Sequence, residues 1–206
     1  SVNANLFVRT LALMFTFFFV TAQGARLGGL VLAANAVLMN FVNLTSFALD
    51  GIAHAAEALV GKAVGQRNRT SLEESVRLCL KWSAYFAAGI SAAYLVAGQF
   101  LVNVLTDLPD VRGATMTYLP WVIISPLIAV WSFLYDGVYV GATRAREMRD
   151  IMIVSTFIVF LPAWYLLQGF GNHGLWAAFT LFMASRGIGM HIGYRRKLLP
   201  AVDAPE

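Results

Sequence analysis

Residues 30–60 read LVLAANAVLMNFVNLTSFALDGIAHAAEALV. The stretch is nearly continuously apolar, contains no proline, and lacks the period-two alternation of a half-buried strand, so it reads as a helix. At about 1.5 Å per residue it extends roughly 46 Å, against a hydrocarbon core of about 30 Å. A span of this length must tilt, bend or run past the lipid headgroups.

The polar residues of the block lie to one side. At about 100 degrees per residue, Asn35, Asn40, Asn43, Ser46, Asp50, His54 and Glu57 fall within an arc of roughly 140 degrees. One charged group facing lipid at a helix centre costs about 2.5 to 3.5 kcal/mol on insertion scales. Asp50, His54 and Glu57 therefore need water or partners. Two readings stand: a proton- or cation-responsive face of a transport pathway, or a helix end hydrated at the cytoplasmic surface. His54-Ala-Ala-Glu57 lacks the second histidine of the metalloprotease helix motif, so no metal ligands are assigned.

Outward from this block the pattern repeats, with apolar blocks at 6–22, 82–105, 118–140, 151–167 and 174–194. Turn chemistry separates them: Gly28-Gly29, Asp107-Leu-Pro-Asp110 and Gly169-Phe-Gly171-Asn-His-Gly174. Of 206 residues, 59% are apolar and 13% charged, with a mean hydropathy of +0.68. Soluble domains carry about 45 to 50% apolar and about 25% charged residues. Disorder is excluded and a soluble globule disfavoured. The expected fold is an all-α membrane protein, a single bundle of six transmembrane helices over residues 1–206.

A net charge of +4 and a pI near 9.5 raise nucleic acid as a partner, but the basic residues occupy the connectors, where they set orientation in a bilayer. With Ser1 in the cytoplasm, twelve fall inside (Arg9, Lys62, Arg67, Arg69, Arg77, Lys81, Arg144, Arg146, Arg149 and the run Arg195-Arg196-Lys197). Two fall outside (Arg26 and Arg112). Both ends are expected in the cytoplasm. The chain opens at Ser1 without a secretory signal, either through loss of an initiator methionine or as a piece of something longer. Lone Cys79 forms no internal disulfide.

Smaller features carry further expectations. Ser71-Leu-Glu-Glu74 has capping-box spacing and predicts a helix start ahead of the third span. Pro120, Pro126 and Pro162 predict bends. Asp136, in Leu134-Tyr-Asp-Gly-Val-Tyr-Val-Gly141, is expected to pair with Arg144 and Arg146 as a structural ion pair or cytoplasmic gate. Arg186 is expected to snorkel toward the cytoplasm or to pair with an acid such as Glu57. Gly189 and Gly193, and Gly89, Ala93 and Ala97, are small residues at four-residue spacing and predict close helix contacts.

Two stretches, Ala53-His-Ala-Ala-Glu-Ala-Leu-Val-Gly-Lys-Ala-Val-Gly-Gln66 and Asp136-Gly-Val-Tyr-Val-Gly-Ala-Thr-Arg-Ala-Arg-Glu-Met-Arg149, resemble the carboxyl-terminal lobe of multidrug and toxic compound extrusion (MATE) transporters, in the DinF (DNA-damage-inducible protein F) branch. Pro162 and Gly174-Leu-Trp176 extend the resemblance over essentially the whole chain. It implies twelve spans in two six-helix lobes around a central cavity, in a bacterial inner membrane. It further implies export of amphipathic, often cationic compounds in exchange for protons or sodium ions, with no other cofactor and no enzymatic step. The partners are then the bilayer, an amphipathic small molecule and an amino-terminal lobe, in the same or another chain. An even number of spans relates two such lobes by an axis along the membrane normal. In the DinF branch the coupling acid belongs to the first span of the amino-terminal lobe, which this sequence does not contain. Asn40, Asn43, Asp50, His54 and Glu57 are cavity or coupling-related candidates because they share the polar arc of the second block, and the resemblance does not make them its coupling site. A lipid-linked saccharide flippase and a non-transporting interaction fragment are the alternatives.

Overall fold

The computed structural model describes residues 2–202. Among them are helices and turns, with no strand. Helix α1 spans Val2–Arg26, α2 Gly29–Gly65, α3 Arg69–Leu105 and α4 Pro109–Gly141. A fifth helical run, Ala145–Phe170, comprises α5 (Ala145–Val154), a π-helical segment (Ser155–Phe160), α6 (Leu161–Leu167) and a short 3-10 turn. Helix α7 covers Asn172–Gly193, and α8, Leu199–Ala201, is the last described helix. The first five runs are long and apolar enough to cross a membrane. Helix α7, which carries Arg186 and His191, is not among those five, yet it packs along α4 and the fifth run as the sixth member of the bundle.

Helix α2 continues unbroken for 37 residues, roughly 55 Å, so it passes well beyond a hydrocarbon core. Its break from α1 falls at Gly28, whose φ of 113° few other residues adopt. Helix α3 starts earlier than the capping box predicts: Asn68 is the cap, accepting a hydrogen bond from the Ser71 backbone N–H at 2.9 Å. The asparagine carboxamide reaches that orphan donor first and places Ser71 inside the first turn.

Helix α4 sits at the centre, packed against α2, α3 and α7. Its contact with α2 is set by two glycines. A Cβ at Gly137 would strike the backbone of Ala53, and one at Gly141 the backbone of Glu57. The two stretches that carry the family resemblance therefore lie backbone to backbone. Gly189 and Gly193 also make close contacts, with Ile151 and Tyr139. The other predicted small-residue stripe fails: Gly89 and Ala93 are exposed, and α3 instead turns Ser83, Ala87, Ser91 and Gly98 inward.

The fifth run widens to π winding over Ser155–Phe160, immediately before Pro162. Proline cannot donate to the carbonyl four residues back, and the irregular turn absorbs that loss. Asn35, on the polar arc of α2, is buried at the far end. It exchanges two 2.8 Å hydrogen bonds with Asn172 and accepts a third from the Trp176 indole at 2.9 Å, tying α2 to α7. Large apolar side chains cover the outside, among them Phe18, Leu95, Val96 and Phe100, as expected where the solvent is lipid.

Candidate functional site

A cavity of about 330 Å3 opens between α1, α2, α4 and α7. One wall is the polar arc of α2, with Ser46, Asp50, His54 and Glu57; the other carries Arg9 of α1, Asp136 of α4 and Arg186 of α7. Asp50 and His54 are exposed and Glu57 is half-buried. His54 Nδ1 stands 3.6 Å from Glu57 Oε2, one helical turn on. The chemistry on this wall is that of accessible carboxylates beside an imidazole.

The opposite wall is a buried charge cluster. Asp136 Oδ2 accepts a hydrogen bond from Arg186 Nη2 at 2.8 Å and another from Arg9 Nη2. Arg186 is 3% exposed, and its guanidinium also lies over the Phe182 ring, 5.6 Å from the centroid. Asp136 Oδ1 and the Nε of each arginine are buried without a hydrogen-bond partner among the described residues. Two guanidinium groups share one carboxylate, which leaves this wall with one uncompensated positive charge facing two carboxylates across the cavity.

This pairing corrects two expectations. Asp136 does not meet Arg144 or Arg146: it points into the bundle toward α1 and α7, whereas Arg144 lies beyond the turn that ends α4 and pairs with Glu147 at 3.1 Å. Arg186 does pair with an acid, but the acid is Asp136 and not Glu57, and the side chain does not snorkel. Arg186 and Glu57 nonetheless line the same cavity. Asn40 and Asn43 share the α2 arc but not the cavity. Both are exposed, and Asn40 donates to its own helix at the Ala36 carbonyl, 3.0 Å away.

Arg9 is the site residue that sequence reading missed, having been counted with the cytoplasmic basic residues. Its signal was its position, a lone cation inside the first apolar block. Among the described residues no group of three or more His, Cys, Asp and Glu side chains is placed to hold a metal ion.

Fold and site together define one helical lobe of a multi-pass membrane protein, with the Arg9–Asp136–Arg186 charge cluster held in its interior. The MatE family model matches residues 6–166. The chain belongs to this family, whose members are transporters and not enzymes. It is 39% identical over 196 residues to the DNA damage-inducible protein F of Escherichia coli, covering 95% of this chain and 42% of that protein. This supports the branch to which the motifs point. A second relative, Protein DETOXIFICATION 45 of Arabidopsis thaliana, is 25% identical over 91% of this chain and 33% of its own length. The solved structure of the Vibrio cholerae MATE transporter VcmN in its bent form matches with a TM-score of 0.86 at 20% identity, over 97% of this chain and 46% of that one. The chain thus spans less than half the length of each.

Proposed function

We propose that the chain is the carboxyl-terminal lobe of a cation-coupled antiporter that exports amphipathic or cationic compounds by alternating access, with protons or sodium ions as the counter-ion. The carrying observation is the cavity, which gathers Asp50, His54 and Glu57 from one helix and Arg9, Asp136 and Arg186 from three others. A cation approaching Asp136 meets a carboxylate already shared by two guanidinium groups. Asp50 and Glu57 hold the negative charge that remains available to it. Coupling then requires the ion and the exported compound to favour different conformations, because only a difference in affinity shifts an equilibrium.

A companion amino-terminal lobe, in the same or another chain, faces the polar arc of α2, including Asn40 and Asn43, across a water-filled central cavity. The excess of basic residues on one side supports placing both ends of this chain in the cytoplasm of a bacterial cell.

The test is gradient-driven efflux of a cationic dye from vesicles holding the full-length protein. Replacing Asp50→Asn together with Glu57→Gln is expected to lower the rate by about tenfold at unchanged protein level, the effect of losing roughly 1.4 kcal/mol of charge-assisted binding. Undiminished efflux removes both carboxylates from the mechanism. No proton- or sodium-driven efflux by the unsubstituted protein would sink the antiporter reading itself.

A further inference from the structure

A second groove lies on the opposite face of α4. Phe133, Asp136, Gly137 and Val140 look into the charged cavity. Leu127, Trp131 and Tyr135 turn the other way, into a cleft of about 460 Å3 between α3, α4 and α7. Tyr135 stands roughly 160 degrees around the helix from Gly137, and the two sites share no lining residue. The cleft is apolar, completed by Leu80, Ala184 and Ile188. Leu127 and Ile188 at its edge are exposed.

Leu80, Tyr135 and His191 also line an adjoining cavity of about 460 Å3, at the end of the bundle where α3 begins and α7 ends. Its other walls carry Arg69, Arg77, Arg195, Glu73 and Glu74. Glu73 accepts from Arg69 Nε at 3.0 Å. Arg77 and Arg195 form no ion pair with any described residue, so two guanidinium groups face one further acid, Glu74. At the junction the Tyr135 hydroxyl is 2.5 Å from His191 Nδ1. With the phenol hydrogen directed to Nδ1, a neutral His191 keeps its own proton on Nε2 and presents a donor where the groove changes from apolar to basic.

We propose that this groove is a binding site for an anionic phospholipid, with an acyl chain in the apolar cleft and the headgroup phosphate between Arg77 and Arg195. The surroundings select the occupant. The exposed apolar edge opens the cleft to acyl chains, water finds hydrogen-bond partners only at its Tyr135–His191 end, and basic pockets between helices at a membrane margin attract anionic headgroups. His191, which lines both the cleft and the basic cavity, is then placed to meet the ester groups between acyl chain and phosphate. The site is separate from the charged cavity and does not depend on the transport reading.

The experiment uses the full-length protein in mild detergent. Phosphatidylglycerol and phosphatidylcholine of equal chain length are titrated, with binding read by native mass spectrometry and thermal shift. Phosphatidylglycerol is expected to bind more tightly, on the order of tenfold. The R77Q/R195Q double variant is expected to abolish that preference while keeping helical content and dye efflux. Ala184→Trp, which fills the cleft, is expected to weaken both lipids. Equal retention of the two headgroups, or a preference that survives R77Q/R195Q, overturns the assignment. So does competition by chain-free glycerol phosphate as effective as that by the lipid, which would mark a simple phosphate site. Displacement of the bound lipid by efflux dyes, one for one, would overturn it in favour of a substrate path.

Discussion

Asp136 holds the charged cavity together because it is the one acid between two arginines. Its loss leaves the Arg9 and Arg186 guanidinium groups facing each other in a poorly hydrated interior, whereas loss of either arginine leaves a neutral pair. Breaking a buried pair by removing one partner typically costs about 3 to 5 kcal/mol. Asp136→Asn is therefore expected to destabilise the protein by about 3 kcal/mol, and Arg186→Met by clearly less, in chemical unfolding followed in detergent. Equal losses would contradict the shared-carboxylate account. The acid itself was legible in the sequence as a charge inside an apolar block. Its partners were not, since Arg144 and Arg146 lie nearby along the chain while Arg9 is 127 positions away.

At the scale of helices, the decisive contact is α2 against α4. Gly137 and Gly141 bring Asp136 within reach of the cavity by letting the α4 backbone approach Ala53 and Glu57. Overpacking such a contact typically costs about 1 to 3 kcal/mol. Gly137→Ala is expected at the upper end, read as a lowered melting temperature, because the added methyl meets backbone rather than a movable side chain. Gly89→Ala, in open space on α3, is expected to leave the melting temperature unchanged or slightly raised. Small residues at four-residue spacing occur at both places, yet the expectation of a close contact attaches to the Gly89 stripe and not to Gly137 and Gly141. Spacing states that two helices can approach closely; whether another helix is there depends on which face the bundle turns inward.

Viewed as a whole, the lobe has two unlike outer surfaces. Val96 is 86% exposed among other apolar side chains of α3, while Asn40, Asn43, Asp50 and His54 form an exposed polar strip along α2. Lipid suits the first and water or protein the second. In full-length protein with the buried Cys79 changed to serine, Asn43→Cys is expected to react much faster with a membrane-impermeant maleimide than Val96→Cys. Comparable rates at the two sites would show that the strip on α2 is not an aqueous face.

The all-α class, the membrane setting, the polar arc of α2 and the family resemblance were settled by the amino-acid sequence alone. Each follows from hydropathy, helical period or local motif, and all of these are properties of neighbours along the chain. The Arg9–Asp136–Arg186 cluster, the exposed lie of Gly89 and Ala93, and the groove behind Tyr135 were decided only by the tertiary structure. They arise where residues far apart in sequence are brought to the same depth of the bundle, and no local pattern encodes which faces of packed helices will meet.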